Sequence, residues 1–293
     1  MKFSRSRATL VGTGLLVLVG AGLLFTGARA CRHGRSVPQA AVDRAVQSLV
    51  QQQDSLDPIL AIILDSVRRR FELTAVPPQT ANVDAVQQQA RDSGSVMRTG
   101  DKLADMLAVF RRLMDPSATV TAADIEGLRM PIDQVTGMAI HCQRIPLPAD
   151  YLMTLDEMVQ MGGYAMTHAI IASQWLIENG CVPAATMDER RQRHVDALVR
   201  QIEKEEGLLT DRRVEALATL FYIGGGDHAR QEWLDFVLQR QLADGQWPGY
   251  ANQPQTPNAH TTLMALWLLL EARSEGRPSR IPMVAQPARD GAR

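Results

Sequence analysis

Two stretches of this sequence repeat one another, and the repeat restricts the fold more than any other feature. Residues 162–181 read GGYAMTHAIIASQWLIENGC, and residues 245–272 read GQWPGYANQPQTPNAHTTLMALWLLLEA. Each carries a glycine–tyrosine turn, Gly163-Tyr164 and Gly249-Tyr250, and then a histidine at the start of an apolar helix. His168 and Trp175 are seven residues apart, as are His260 and Trp267, and a leucine follows each tryptophan. Seven residues is close to two helical turns, so the imidazole and the indole share a face. Ile171 and Ala172 complete that face in one copy, Leu263 and Met264 in the other. The expectation is a series of helical hairpins, each burying an inner helix against the next.

The first 30 residues read as an export signal or membrane anchor. Lys2, Arg5 and Arg7 precede an uncharged run from position 8 to 28, long enough to cross a bilayer. The run ends Ala28-Arg29-Ala30-Cys31, a small-x-small cleavage pattern followed by cysteine, so an uncleaved anchor, a secreted chain and a lipoprotein acylated on Cys31 all remain open. Each implies the bacterial cell envelope, with the body facing the periplasm or exterior and the membrane as partner. Four of the 31 basic residues and none of the 32 acidic ones lie in this segment, which leaves a mildly acidic body. Nucleic acid is therefore not an expected partner, because it needs a basic face. The other two of the three cysteines, Cys142 and Cys181, flank the first hairpin and would staple it in an oxidising compartment; two buried thiols are the alternative.

Helical periodicity then runs through nearly the whole chain, and no alternating strand pattern interrupts it. In the N-terminal region, 31–130, helices are expected at 38–54, 59–71, 82–91 and 103–114, with a linker at 76–80. Arg68, Arg69 and Arg70 read as a solvated helix end beside the membrane. A repeat domain, 131–273, follows. A helix at 131–140 leads into hairpins 151–161 with 168–179, 187–206 with 210–223, and 228–242 with 259–272. Asp150 is expected to cap the first of these and Gly180 to stop the second. The tail, 274–293, is rich in Pro, Gly and Arg and is expected to be disordered. The fold class is all-α, with hairpin repeats forming an α/α toroid or an open solenoid.

Arg230, Phe236, Gln241, Gly245 and Trp247 sit at spacings that resemble the repeat of terpenoid cyclases and prenyltransferase-like α/α toroids. The resemblance covers the final third of the chain. It implies that Gln241 bonds helix-terminal backbone and that Trp247 covers it. The acidic cluster with which such cyclases protonate an isoprenoid is not visible, nor is the Asp, Cys and His zinc set of the prenyltransferases. The resemblance therefore carries fold and not activity.

Candidate chemistry centres on His168 and His260. In a toroid the ends of inner helices face a common mouth, and a helix N-terminus disfavours imidazolium, so both rings are expected to be neutral near pH 7. Neutral imidazole serves as a base or a metal ligand. Asp227 and Tyr164 are the candidate catalytic companions and His228 a third metal ligand, with His141 in reserve; Trp175, Trp267, Trp247 and Tyr250 are candidate ligand-binding residues. The bland alternative is that each histidine bonds a loop carbonyl and packs on its tryptophan. Met153, Met158, Met161 and Met166 read as core filling rather than a copper site. No cofactor can be named. With the catalytic set incomplete, the sequence favours a binding or scaffold module with a concave His/Tyr/Trp-lined pocket. The alternative is a toroid enzyme acting on a lipid-like or saccharide substrate, with metal assistance.

Overall fold

The computed structural model describes residues 36–274 and 281–287, whose regular secondary structure is helical, with no strand among them. The helices are α1 (Gln39–Gln51), α2 (Pro58–Phe71), α3 (Thr80–Ser93), α4 (Leu103–Phe110), α5 (Ala122–Glu126), α6 (Pro131–His141), α7 (Tyr151–Met161), α8 (Gly163–Glu178), α9 (Asp188–Lys204), α10 (Asp211–Tyr222), α11 (Gln231–Leu238) and α12 (Ala259–Arg273). The expected anchor at 1–30 and Cys31 lie outside the described residues. Among the described residues, no helix is long and apolar enough to cross a membrane.

Local chemistry sets the helix starts that matter for the site. The Asp57 carboxylate accepts the Ile59 N–H at 2.9 Å, with Pro58 in the first helical position, and this opens α2. Thr210 and Asn258 accept the Arg213 and Thr261 N–H groups and open α10 and α12. Thr121 and Asp124 close a reciprocal capping box at α5. Asp150, expected to cap α7, makes no side-chain capping bond. α8 starts five residues earlier than its apolar pattern suggests. Gly162 and Gly163 both take positive φ and reverse the chain within two residues, so His168 stands more than a turn inside the helix rather than at its start.

Six helices touch in sequence: α6 packs on α8, α8 on α10, α10 on α12, α12 on α2, α2 on α4, and α4 on α6. α3, α5, α7 and α9 lie against members of this series, and α1 lies against α12. α12 shows why its sequence is apolar on every face: every residue from Thr261 to Ala272 is buried. The regions 31–130 and 131–273 thus share one core, and the described residues belong to one compact unit.

The third hairpin is shorter than expected. α11 ends at Leu238, and the chain turns so that the Gln241 amide donates to the carbonyls of Ala41 in α1 (2.8 Å) and Gly245 (3.0 Å). Trp247 is fully buried there, its Nε1–H donating to the Val237 carbonyl at 2.7 Å. Gly245, at positive φ, presses against the Arg44 backbone so closely that no side chain would fit.

Two expectations fail for one reason. Within the described part of the tail, Met283, Val284 and Ala285 are buried, so this segment is packed and not a free end. Nor is the arginine triplet a solvated helix end. Arg69 donates to the carbonyls of Leu113 and Met283, Arg70 to that of Ile281, and Arg112 to that of Ala285. The buried Arg70 and Arg112 and the half-buried Arg69 satisfy carbonyls of the segment 281–285, which lets a short apolar segment pack without secondary structure. Cys142 and Cys181 form a disulfide joining the C-terminal ends of α6 and α8.

Candidate functional site

The N-terminal ends of α8, α10 and α12 meet in a pit built around the carboxylates of Asp211 and Glu215, one turn apart on α10. Asp211 is the hub. Its backbone N–H donates to the Gly249 carbonyl at 3.0 Å. Its Oδ1 accepts from His260 Nδ1 (2.8 Å) and the Thr261 hydroxyl (2.6 Å), and its Oδ2 accepts from the Tyr164 hydroxyl (2.6 Å). The two glycine–tyrosine segments therefore converge on one aspartate. Tyr250 is exposed and close enough to interact electrostatically with Tyr164.

Glu215 lies deeper, with 3 % of its side chain exposed. Thr167 donates a hydrogen bond to Oε1. His168 Nε2 stands 3.8 Å from Oε1, and His260 Nε2 stands 3.8 Å from Oε2. Oε2 itself is buried and has no hydrogen-bond partner. The two imidazoles that the sequence pairs are thus brought to opposite oxygens of a single carboxylate. About 30 % of the His168 side chain and 31 % of the His260 side chain remain exposed, so the pit is open on their side.

Charge in the pit follows from burial and neighbours. Burial pushes the Glu215 carboxyl up to about 7, against the pull of His260 and Thr167. Burial and the nearby His260 hold His168 down to about 4, which keeps it neutral. His260 shifts the opposite way from His168. Burial lowers its pKa, but the hydrogen bond and charge of Asp211, with Glu215 and Asp57 beyond, outweigh burial and raise it. Burial alone would raise Asp211, but His260, Thr261 and Tyr164 together bring its pKa below the usual carboxylate value. Tyr164 is raised by burial and by its bond to Asp211, so it stays a phenol.

A cleft of about 890 Å³ lies between α7, the start of α8, and α9. It ends at Gly163 and Arg212, the chain neighbours of Tyr164 and Asp211. Arg193, Arg200 and Lys204 line it from one face of α9 and form no ion pair among the described residues.

The chain matches no protein-family model, no curated protein and no solved structure.

Other expected site residues lie elsewhere. Asp227 and His228 are exposed in the turn after the C-terminal end of α10, whereas Asp211 is the first residue of that helix. Twelve residues of α10 separate them from the pit, roughly 18 Å. Neither belongs to the constellation. Trp175, Trp247 and Trp267 are buried in the core. Trp267 packs against Tyr222 in a tilted pair, with centroids 5.0 Å apart and the planes at 59°, and donates to Glu271. His141 is buried, with Nε2 on the Val109 carbonyl at 2.9 Å.

Asp211 and Glu215 are the residues that sequence reasoning misses, and a signal for them exists. Glu215 and Tyr222 are seven residues apart, the spacing of His168–Trp175 and His260–Trp267. The middle hairpin keeps the register and changes the chemistry, with glutamate in the histidine place and tyrosine in the tryptophan place. One turn earlier, Tyr164 and Asp211 occupy matching positions and bond each other.

Proposed function

We propose that this chain is an exported, envelope-tethered enzyme whose helices α6, α8, α10, α12, α2 and α4 close into the inner ring of an α/α toroid, with its centre in the Glu215 pit. The order in which these helices touch, returning from α4 to α6, supports the ring. The disulfide supports an oxidising compartment, and the uncharged run at 8–28 supports the tether. One observation favours an enzyme over a scaffold: a buried carboxylate flanked by two imidazoles keeps one oxygen without a hydrogen bond. Most buried carboxylate oxygens are satisfied, and this one is left open beside two imidazoles. A catalytic one is left free to act.

The substrate class follows from the cleft. Its lining mixes the cations Arg193, Arg200, Lys204 and Arg212 with Asp156, Asp196 and Glu205 and with apolar Val159, Met161 and Met166, and the charged part suits a saccharide better than a lipid tail. From Arg193 to Lys204 the unpaired cations of α9 span roughly 16 Å, which matches an elongated anion and exceeds a single phosphate. The reading is cleavage of an acidic oligosaccharide laid along α9 with its reacting end at Tyr164 and Glu215.

Chain cleavage of defined oligouronates, followed by chromatography, tests this. Glu215→Gln is expected to lower kcat/KM at least about 100-fold. The double change Arg200→Ala with Lys204→Ala is expected to raise KM about fivefold and leave kcat in place. If the unaltered protein cleaves no acidic oligosaccharide, the substrate assignment fails. If His168→Ala and His260→Ala reduce stability alone, the scaffold reading replaces the enzyme.

A further inference from the structure

We infer that the pit breaks its acidic oligosaccharide by elimination and not by hydrolysis. His168 is the base that removes the proton α to the sugar carboxylate, and His260 is the acid that protonates the leaving oxygen. This rests on the saccharide reading above and adds the reaction class to it.

Hydrolysis of a glycosidic bond ordinarily takes two carboxyl groups that face the sugar. Among the described residues the pit holds Asp211 and Glu215, and neither is presented to a ligand. His260 and Thr261 occupy Oδ1 of Asp211, and Tyr164 occupies Oδ2. Glu215 lies behind the imidazoles, with Oε1 taken by Thr167 and Oε2 buried. Asp57, further out, is engaged at the start of α2. The groups on the open side of the pit are the two imidazoles.

Their surroundings push the two rings into opposite roles. Burial works against a charge on His260, but its Nδ1 lies 2.8 Å from Asp211 Oδ1, and that carboxylate favours the protonated ring. Nε2 is then its free proton donor. His168 has only Glu215 nearby, at 3.8 Å, and burial together with His260 keeps it neutral. A neutral imidazole beside an imidazolium is a base beside an acid.

An acidic sugar supplies what such a pair needs. The proton α to its carboxylate becomes easier to remove when a cation neutralises that group and the charge developing on it. Arg212 brings a guanidinium to the end of the cleft next to Asp211; it lies 3.3 Å from Glu205 and keeps 51 % of its side chain exposed. His168 takes the α proton, and the electrons of that C–H bond form a double bond to the β carbon. The bond from the β carbon to the glycosidic oxygen breaks, and the oxygen takes the proton of His260. No water or oxidant enters, so the two products together have the composition of the substrate.

The proton left on His168 must return to His260, and Glu215 joins the two rings. Its Oε1 is 3.8 Å from His168 Nε2, and its Oε2 is 3.8 Å from His260 Nε2. Each gap is roughly 1 Å longer than a hydrogen bond. A carboxyl that burial holds at about 7 both takes and gives a proton near neutrality. The return path gives the unpartnered Oε2 a use, and the charge of Glu215 also helps to keep His260 protonated.

The test incubates full-length protein with defined hexauronates and weighs the products by mass spectrometry. Fragments whose masses add up to that of the substrate are expected, one of them with a conjugated double bond that absorbs in the ultraviolet. Deuterium at the carbon α to the carboxylate is expected to slow turnover. His168→Ala and His260→Ala are each expected to lower kcat at least about 100-fold. A uronate carrying nitrophenoxide at the β carbon needs no acid, because that group leaves without a proton. On it, His260→Ala is expected to stay within about threefold of the unaltered protein, and His168→Ala to remain at least about 100-fold down. Circular dichroism checks that each variant is folded, with His168→Gln and His260→Gln as replacements where alanine is not tolerated; the product masses require no variant. Fragments heavier by one water overturn the elimination and leave the saccharide reading standing. Equal losses of His260→Ala on both substrates overturn its role as the acid. Absence of cleavage of any hexauronate removes the saccharide reading and the elimination with it.

Discussion

Arg70→Ala is expected to lower folding stability by about 3–5 kcal/mol. Arg70 is buried where α2 ends, with its Nε 2.6 Å from Glu271 Oε1 and its Nη1 3.6 Å from Glu178 Oε1. Nη1 also donates to the Ile281 carbonyl at 2.7 Å, and the guanidinium lies 4.9 Å from the centre of the Tyr222 ring. Glu271 has no exposed side-chain surface. Burial raises the Glu178 pKa, and Arg70 is the largest of the influences that resist the rise. Alanine would remove this guanidinium from two buried carboxylates and from the Ile281 carbonyl. Urea unfolding followed by circular dichroism measures the effect. The same experiment on Arg70→Met with Glu271→Leu should recover part of the loss, because removing one partner costs more than removing both. A loss below about 1 kcal/mol would mean that this cluster is solvated.

Reducing the Cys142–Cys181 bond is expected to cost about 4 kcal/mol, from the loop entropy released when a cross-link between residues 39 apart opens. The bond joins α6 to α8, and α7 lies wholly within the loop it closes. α8 supplies Tyr164 and His168, so reduction should loosen the pit as well as the fold. Urea curves with and without dithiothreitol, repeated on Cys142→Ala with Cys181→Ala as a control that should not respond to reductant, give the difference directly.

Much of the architecture was legible because burial leaves a period in the sequence. Leu103, Met106, Leu107, Phe110 and Leu113 announced α4, and Pro131 announced α6. Tyr151 and Met161 bounded α7 at the residues where the helix begins and ends. The pairing of His168 with His260 was legible too, since equal spacing from a tryptophan puts both at equal depth. The partner between them was not. Periodicity reports which face is buried and is silent on what a polar residue meets there. Glu215, between Val214 and Ala216, looks like a break in an apolar face until the seven-residue offset to Tyr222 is set beside the other two. Arg70 and Ile281–Ala285 failed for a related reason. A basic triplet and a proline-flanked tail each read as solvated, and only their mutual contact buries them. That contact spans more than 200 residues of chain.

The central claim is that Glu215 is held where it is for function and against stability, and urea unfolding of Glu215→Gln across pH, in chelator-treated protein, tests it most directly. The folded carboxyl, at about 7, lies above its ordinary 4.5, so the stability it contributes is present at low pH and is lost as pH rises from 4.5 through 7. The full difference is about 3 kcal/mol, and glutamine, which does not ionise, should not show it. The account predicts that the two proteins match near pH 4.5 and that the glutamine variant is the more stable by up to about 3 kcal/mol at pH 8. A glutamine variant less stable by about 2 kcal/mol or more at pH 8 would contradict it, and would make Glu215 a structural residue of an ordinary helical core.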